Sequence, residues 1–505
     1  MKTLEKTRSI CPECFRKDNE VKELEAEVVE EDGSVYIKKE CDKHGSFKSI
    51  VFSDYEDYKR WDRHKQDGDG IEDVHVENLS LYDGHNSQSV LTNLTITNRC
   101  NLRCSYCFAN AGSQGFVYEP SLDKIQEMID QARSEKPVPS KAIQITGGEP
   151  TVRDDLFEII DMAKEAGFAH IQLNTNAIKL ADSKEYCKKI LDHGVNTIYM
   201  SFDGVTKETN PWIEQNKQAI QNLREIGFTS VVLVPVAMQD NIDEIEDIIE
   251  FAKDNIDVVR GVNIQPIAFT GRIENIDDDY RKNERVDYST LMEKIEEDSD
   301  GQIAKNDWYP VPFVYPISKL VENVKDEKQV EFTAHPSCGG ATYVFMDGDE
   351  MVPITRFLDV EGFMELVDKL SKKKGKLKKA KIAASMMNNL SKFIDKEKAP
   401  EGFSLKKLLV KAITKGDYSS LGEFHYKTLY VGTMWFQDVW NLNLDRLQNC
   451  VIHYTTPEGM VPFCAYNGLG VGQEIREKHS IPVEKWEEKS GKTLKDDLWK
   501  NGPVS

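Results

Sequence analysis

Asn98-Arg99-Cys100-Asn101-Leu102-Arg103-Cys104-Ser105-Tyr106-Cys107-Phe108 sets three cysteines in a C-x3-C-x2-C spacing. One short loop therefore carries three thiolates. Three thiolates can hold three irons of a cubane cluster and leave the fourth iron open to another ligand. A structural zinc site recruits four protein ligands and leaves no position open. The run ahead of the loop, Leu91 to Thr97, alternates like a strand. A second strand-like run, Ala142 to Thr146, ends in Gly147-Gly148-Glu149-Pro150. Glycines there let the backbone approach a ligand with no Cβ in the way.

Outward from this loop, residues 88–270 alternate strand-like and helix-like stretches. Strand candidates are 91–97, 142–146, 169–174, 197–202, 230–237 and 261–267, with helical patterns between them such as Asp123 to Ser134 and Leu156 to Ala166. That alternation reads as β/α units around a parallel sheet. The cysteine triplet and the Gly-Gly-Glu-Pro turn together resemble the radical S-adenosylmethionine (SAM) superfamily. The resemblance implies an α/β fold, a partial (β/α)6 barrel with its chemistry at the carboxyl ends of the strands. It implies a [4Fe-4S] cluster on Cys100, Cys104 and Cys107, whose open iron is chelated by SAM. Gly147, Gly148 and Glu149 match the turn that meets the methionine amino group. Phe108 matches the aromatic residue beside adenine. Asn174, Asn176, Ser201, Asp203 and Gln265 follow the third, fourth and sixth strands, where the superfamily contacts SAM or substrate. Asn, Asp and Ser also favour such turns for local reasons.

Residues 1–85 form a leading module. Cys11-Pro12-Glu13-Cys14, the alternating Val35-Tyr36-Ile37 and Cys41-Asp42-Lys43-His44-Gly45 read as two knuckles joined by a hairpin. Cys11, Cys14, Cys41 and His44 can hold one tetrahedral metal, zinc or a rubredoxin-like iron. So small a unit has little core of its own, and a metal staple makes physical sense.

Residues 271–505 are expected to form an α+β C-terminal region that carries an auxiliary iron–sulfur cluster and binds substrate. Asp277 to Asp298 is acidic, and Lys372 to Lys381 is a lysine block. Cys338, Cys450 and Cys464 are a third set of three thiolates. Pro457-Glu458-Gly459 is a turn signal between two apolar runs, so a hairpin brings Cys450 and Cys464 to one end. The three thiolates imply a second [4Fe-4S] cluster, with His335, His453 or the substrate as fourth ligand. Cys187, in a helical stretch, reads as a structural thiol.

The 505 residues suffice for two or three domains, and 39% hydrophobic content supplies cores. A net charge of −21 argues against broad nucleic-acid binding. Ten cysteines in metal-like spacings suit a reducing compartment. No apolar signal region follows Met1, and a cytoplasmic protein is expected.

Longer segments resemble an archaeal radical SAM family that includes tetraether lipid synthase and relatives described as pterin methylases. They are Cys-Pro-Glu-Cys, the cysteine loop, Pro353 to Gly362 and Phe463-Cys464-Ala465-Tyr466-Asn467. The resemblance implies joining of isoprenoid chain termini of archaeal diether lipids, with a reductant such as ferredoxin or flavodoxin. Tyr430 to Phe436 and Tyr309 to Tyr315 are apolar enough to line a lipid tunnel. The lysines within 371–393, set among Leu377, Ile382, Met386, Met387 and Leu390, read as a basic amphipathic helix on the inner membrane face. The alternatives are methylation of a small substrate such as a pterin, and an iron–sulfur electron-transfer protein without SAM chemistry. A compact pocket with convergent polar groups favours the pterin; an apolar tunnel favours the lipid.

Overall fold

The computed structural model describes residues 1–71, 85–112, 114–273, 277–400 and 428–500. Residues 72–84, at the end of the expected leading module, lie outside the described residues.

Strands Lys2–Ile10, Glu23–Glu31, Ser34–Cys41 and Gly45–Phe52 pair in sequence order as an antiparallel sheet. Val35, Ile37, Lys39 and Cys41 are buried at every second position, the period of a strand with one covered face. Asp54 then caps helix Tyr55–Asp62 by accepting the Glu56 N–H. The helix drives Trp61 against Tyr288, ring centroids 5.0 Å apart. Phe52, Tyr58 and Trp61 thereby join the main core, so the module is fastened to the rest of the molecule.

All six expected central strands are present: Leu91–Thr97, Ala142–Gly147, His170–Thr175, Thr197–Ser201, Val231–Val234 and Val259–Pro266. They pair in parallel and in chain order. Ile143, Ile145, Leu173, Ile198 and Leu233 are fully or almost fully buried, as expected of strands covered on both faces. Helix Leu122–Ser134 covers one face with Ile125, Met128, Ile129 and Ala132, a helical stripe, and starts at Ser121, whose side chain accepts the Lys124 N–H.

The C-terminal region does not stand apart from this sheet. Strand Ile452–Thr456 pairs in parallel with Leu91–Thr97, and Thr428–Met434 pairs in parallel with Val259–Pro266. The parallel run is thus extended on both sides of the six expected strands. Antiparallel strands Gly459–Pro462 and Gly339–Asp347 lie beyond it on the two sides. A division near residue 270 separates the chain but not the sheet. The hairpin around Pro457 is present, with Thr456 opposite Gly459.

Two expectations are corrected here. Helix Lys378–Asn389 carries only the last three lysines of the block, and Ile382 and Met386, with Leu390 just beyond it, are buried in a local core with Phe363, Val367 and Leu370. Three of the five apolar side chains are thus covered by protein and only Leu377 and Met387 stay exposed, which leaves membrane contact through 371–393 unsupported. Likewise Thr428–Met434 is an internal strand, with Val431 fully buried, rather than a tunnel wall. Among the described residues no helix is long and apolar enough to cross a membrane.

Candidate active site and metal centres

The strand Leu91–Thr97 delivers the cysteine loop, and the Gly-Gly-Glu turn is stapled to it. Gly148 N–H donates to Thr97 O and Glu149 N–H to Arg99 O, each at 2.8 Å. A Cβ at Gly147 would lie 2.2 Å from Thr97 O, and one at Gly148 would lie 2.1 Å from Arg99 O. Only glycine lets the two backbones come this close. Arg103 donates to Cys100 O at 2.8 Å, and Arg272 donates to the carbonyls of Cys104 and Ala111. The loop carbonyls are therefore pinned by two cations. Burial pushes the Cys104 thiol up to about 12, and the Cys107 and Asp203 charges add to that. Burial also raises Cys100, with further upward contributions from Glu149, Cys107 and Cys104. Cys100 and Cys104, held where a bare thiolate is disfavoured, fit ligands of a bound cationic iron cluster.

Glu149 is 1% exposed. Its Oε1 accepts from Thr151 N–H at 3.1 Å, Thr151 Oγ1 at 2.6 Å and Thr175 Oγ1 at 2.7 Å, while Oε2 accepts the Asn176 N–H at 2.8 Å. Oε1 is spent on holding the end of the third strand, and Oε2 is the oxygen with capacity to spare. Asn176 donates to Asn101 Oδ1 at 2.7 Å, tying that strand end to the cysteine loop. Asn174 donates to Thr146 Oγ1, and Ser201 ends the fourth strand. Asp203 accepts the Val236 N–H at 2.9 Å and the Tyr106 hydroxyl at 2.8 Å. Burial pushes its carboxyl up to about 6 against those two bonds.

Cys338, Cys450 and Cys464 lie near enough for their charges to act on one another. Burial pushes the Cys464 thiol up to about 11, with Arg446 drawing it down and Cys338 pushing it up. Cys450 is raised by burial and then by the charges of Cys464 and Cys338. The fully enclosed Arg446 aims Nε at Cys338 Sγ, 3.4 Å away, and the Gln437 N–H points at Cys464 Sγ, also 3.4 Å away. A buried guanidinium and an N–H directed at sulfur suit thiolates that hold a cluster. Of the two candidate imidazoles, His453 Nδ1 lies 2.9 Å from Ser89 Oγ. His335 Nδ1 accepts the Ser337 N–H at 3.1 Å, and the ring shares a corner with Glu5 and Asp445.

A small cavity is bordered both by neighbours of the first triad and by Cys464 of the second. Tyr106 and Phe108 from the first cysteine loop, Gln265 from the sixth strand, and Cys464 with its neighbours Phe463 and Asn467 all border it. Phe108 and Phe463 have ring centroids 5.9 Å apart, and Phe436 stacks on Phe463 at 3.9 Å. The expected lipid tunnel is replaced by a compact aromatic chamber with amide side chains. Phe108 and Gln265 were legible as site residues from sequence. Phe436 was expected only as a tunnel wall and Gln437 was not singled out, although both follow the parallel strand Thr428–Met434 at its carboxyl end, where site residues collect in such sheets.

The N-terminal ligands form a different kind of site. His44 Nδ1 lies 3.4 Å from both Cys11 Sγ and Cys14 Sγ, and Cys14 Sγ lies 4.0 Å from Cys41 Sγ. Metal–sulfur bonds near 2.3 Å and metal–nitrogen bonds near 2.0 Å in a tetrahedron require edges of roughly 3.5–3.8 Å. The four donors fit one tetrahedral ion, and three of the four residues are buried.

Comparison with known proteins agrees with this geometry. A model of the radical SAM superfamily matches residues 94–252, and one of the HMPTM N-terminal zinc ribbon domain matches residues 3–53. The chain is 42% identical over 502 residues to the 7,8-dihydro-6-hydroxymethylpterin dimethyltransferase of Methanocaldococcus jannaschii, covering 95% of this chain and 96% of that protein. It is 34% identical over 212 residues to GTP 3′,8-cyclase of Nautilia profundicola, covering 40% of this chain and 62% of that one. The solved structure of methylornithine synthase aligns over 43% of this chain and 65% of its own, with a TM-score of 0.32 and 14% identity. The near full-length similarity to a pterin-acting protein overturns the expectation of isoprenoid chain joining. The lipid reading came from the family resemblance, and the apolar tunnel it called for is not found among the described residues.

Proposed function

The chain belongs to the radical SAM family represented by the Methanocaldococcus jannaschii 7,8-dihydro-6-hydroxymethylpterin dimethyltransferase, and we propose that it methylates a pterin-like heterocycle in the chamber between its two cysteine triads. It is a radical SAM enzyme whose cofactors are SAM, a [4Fe-4S] cluster and a further metal, and such enzymes need a reductant. When bound and reduced, the SAM and cluster pair supplies hydrogen-abstracting radical chemistry.

The observation that carries the proposal is the chamber itself. Its border is short and mixes aromatic rings with amide side chains, which suits a flat polar heterocycle better than a pair of isoprenoid chains. Tyr106, Phe108 and Phe463 offer flat faces for a flat ring. Gln265 and Asn467 offer hydrogen bonds at its edge. In this reading Cys100, Cys104 and Cys107 hold the SAM cluster, and the Gly147–Gly148 turn lets backbone reach the SAM amino group. Asp203 steadies the loop by holding the Tyr106 hydroxyl. Cys338, Cys450 and Cys464 hold an auxiliary cluster on the far side of the substrate, with Arg446 offsetting its charge. Apolar walls keep water and stray hydrogen donors from the reacting carbon. Cys11, Cys14, Cys41 and His44 hold zinc or iron as a structural staple.

The test is anaerobic reconstitution with SAM, a reductant such as ferredoxin or flavodoxin, and the dihydropterin. Mass analysis should find a pterin heavier by one or two methyl groups, formed together with 5′-deoxyadenosine. Normal SAM cleavage beside an unchanged pterin would overturn the proposal.

A further inference from the structure

Lys39 and Ser9 are buried in strands Ser34–Cys41 and Lys2–Ile10 of the leading module. Each stands two residues before a proposed metal ligand, Cys41 and Cys11. A metal that joins Cys11 to Cys41 therefore also fixes the strand ends that carry Ser9 and Lys39. Both side chains reach outside the module. Lys39 Nζ donates to Ser9 Oγ at 2.9 Å and to Val439 O at 2.7 Å, and Ser9 Oγ donates to Leu442 O at 2.6 Å. Thr7 Oγ1 donates to Asn443 Oδ1 at 2.7 Å. Phe47 and Arg16 lie 6.0 Å and 5.3 Å from the centre of the Trp440 ring. Val439, Trp440, Leu442 and Asn443 are thus each held by the module.

That short segment meets the second cysteine triad on both of its sides. Before it, the Gln437 N–H points at Cys464 Sγ, while Gln437 Oε1 accepts the Asn443 N–H at 2.7 Å. After it, Asn443 Oδ1 caps helix Leu444–Gln448 by accepting the Asp445 and Arg446 N–H groups. Arg446 in turn aims Nε at Cys338 Sγ. Two sulfurs of the triad therefore receive donors from a segment whose path the leading module sets. Partners of this outer kind orient ligands and tune the metal they hold.

We propose that Thr7, Ser9 and Lys39 are positioning residues for the second triad, so that filling the mononuclear site sets the geometry in which Cys338 and Cys464 hold their cluster. This rests on the reading of that triad as cluster ligands. The leading module then has a task at the reaction chamber beyond bracing its own strands. Among the described residues none of these contacts involves the loop of Cys100, Cys104 and Cys107, so SAM cleavage stands outside the coupling.

The experiment compares the anaerobically reconstituted full-length wild type with Lys39→Met, Thr7→Val and Thr7→Ser. Electron paramagnetic resonance separates the two reduced clusters, because only the first should shift when SAM is added. Iron release to a ferrous chelator and mononuclear metal content are measured on the same samples. Lys39→Met and Thr7→Val should shift the second signal. They should also weaken iron retention there about tenfold, the lower end of what losing an outer-shell partner costs. The SAM-responsive signal, the mononuclear metal and deoxyadenosine release should match the wild type. Thr7→Ser keeps the hydroxyl and should restore the wild-type second signal. Cys14→Ala approaches from the metal's side, and its loss of the mononuclear metal should weaken the second signal as well. A wild-type second signal in both Lys39→Met and Thr7→Val would overturn the inference. So would a wild-type second signal in metal-free Cys14→Ala. Equal loss of both cluster signals would assign these residues to the fold at large and overturn it too. A wild type showing the SAM-responsive signal alone would remove the second cluster, and the inference with it, while SAM chemistry stood.

Discussion

The N-terminal ligand set and the two cysteine triads are built on opposite plans. Cys11, Cys14, Cys41 and His44 lie within 4.8 Å of one another, and together they complete a tetrahedron. Each triad offers three thiols. The chamber is bordered by Tyr106 and Phe108 from the loop of one triad and by Cys464 of the other. A metal whose coordination is filled by protein can only brace the fold, whereas one with a position left over can meet a ligand. Donor number and what lies beside the last position separate a staple from a reaction centre. Burial alone does not, because Cys450 and Cys464 of the second triad are buried as Cys11, Cys14 and Cys41 are.

The largest effect should come from the open side. Cys100→Ala, Cys104→Ala or Cys107→Ala should each lower reductive SAM cleavage by about a hundredfold or more, because ligand loss exceeds the 10–100-fold typical of second-shell changes. Release of 5′-deoxyadenosine after dithionite reduction measures it. Wild-type release from any of the three would break the comparison at its root. Cys464→Ala comes next. It should cut methylated pterin by about tenfold or more and lower the iron count, while SAM cleavage continues. That split distinguishes two triads with separate tasks from one shared site.

Cys14→Ala probes the closed side. The variant should lose its mononuclear metal and about 4 kcal/mol of stability in the leading module, as loss of a structural metal does. SAM cleavage should still be measurable. Metal analysis and thermal melting check the first expectation, and deoxyadenosine release the second. Unchanged metal content and melting would show that the four donors are not a staple.

The uneven legibility of the sequence follows the same physics. The six central strands could be read because each is a short β-branched run between turn signals. The triplet spacing and the Gly-Gly turn could be read because cluster ligation and close backbone approach demand particular residues. Strands Thr428–Met434 and Ile452–Thr456 could not be placed, since their partners Val259–Pro266 and Leu91–Thr97 lie more than 150 residues away. An apolar run looks the same whether it lines a tunnel or fills a sheet. The lysine helix misled for a related reason: its sequence shows amphipathicity, but not that Ile382 and Met386 already face Phe363 and Val367.

The smallest effect on chemistry is expected where a buried titratable group borders neither kind of site. Glu135 lies beside the start of strand Leu91–Thr97, where Oε1 accepts the Ser89 hydroxyl at 2.7 Å and Oε2 has no partner. Burial pushes its carboxyl up to about 8, against smaller downward pulls from Ser89, Ser140 and Arg133. The folded state then holds a proton that the unfolded chain releases near pH 4.5. The associated stability is complete below that pH and is lost as pH rises through about 8. Over that window the fall is at most about 1.4 kcal/mol per pH unit. Glu135→Gln is neutral throughout, so its melting temperature should gain on the wild type as pH rises from 5 to 9. Methylation at neutral pH should stay within about twofold, because a residue away from such sites rarely alters chemistry. A much larger loss of methylation would mean that a perturbed buried carboxyl marks function here without a bordering cavity. The lesson drawn from the two kinds of metal site would then have to be abandoned.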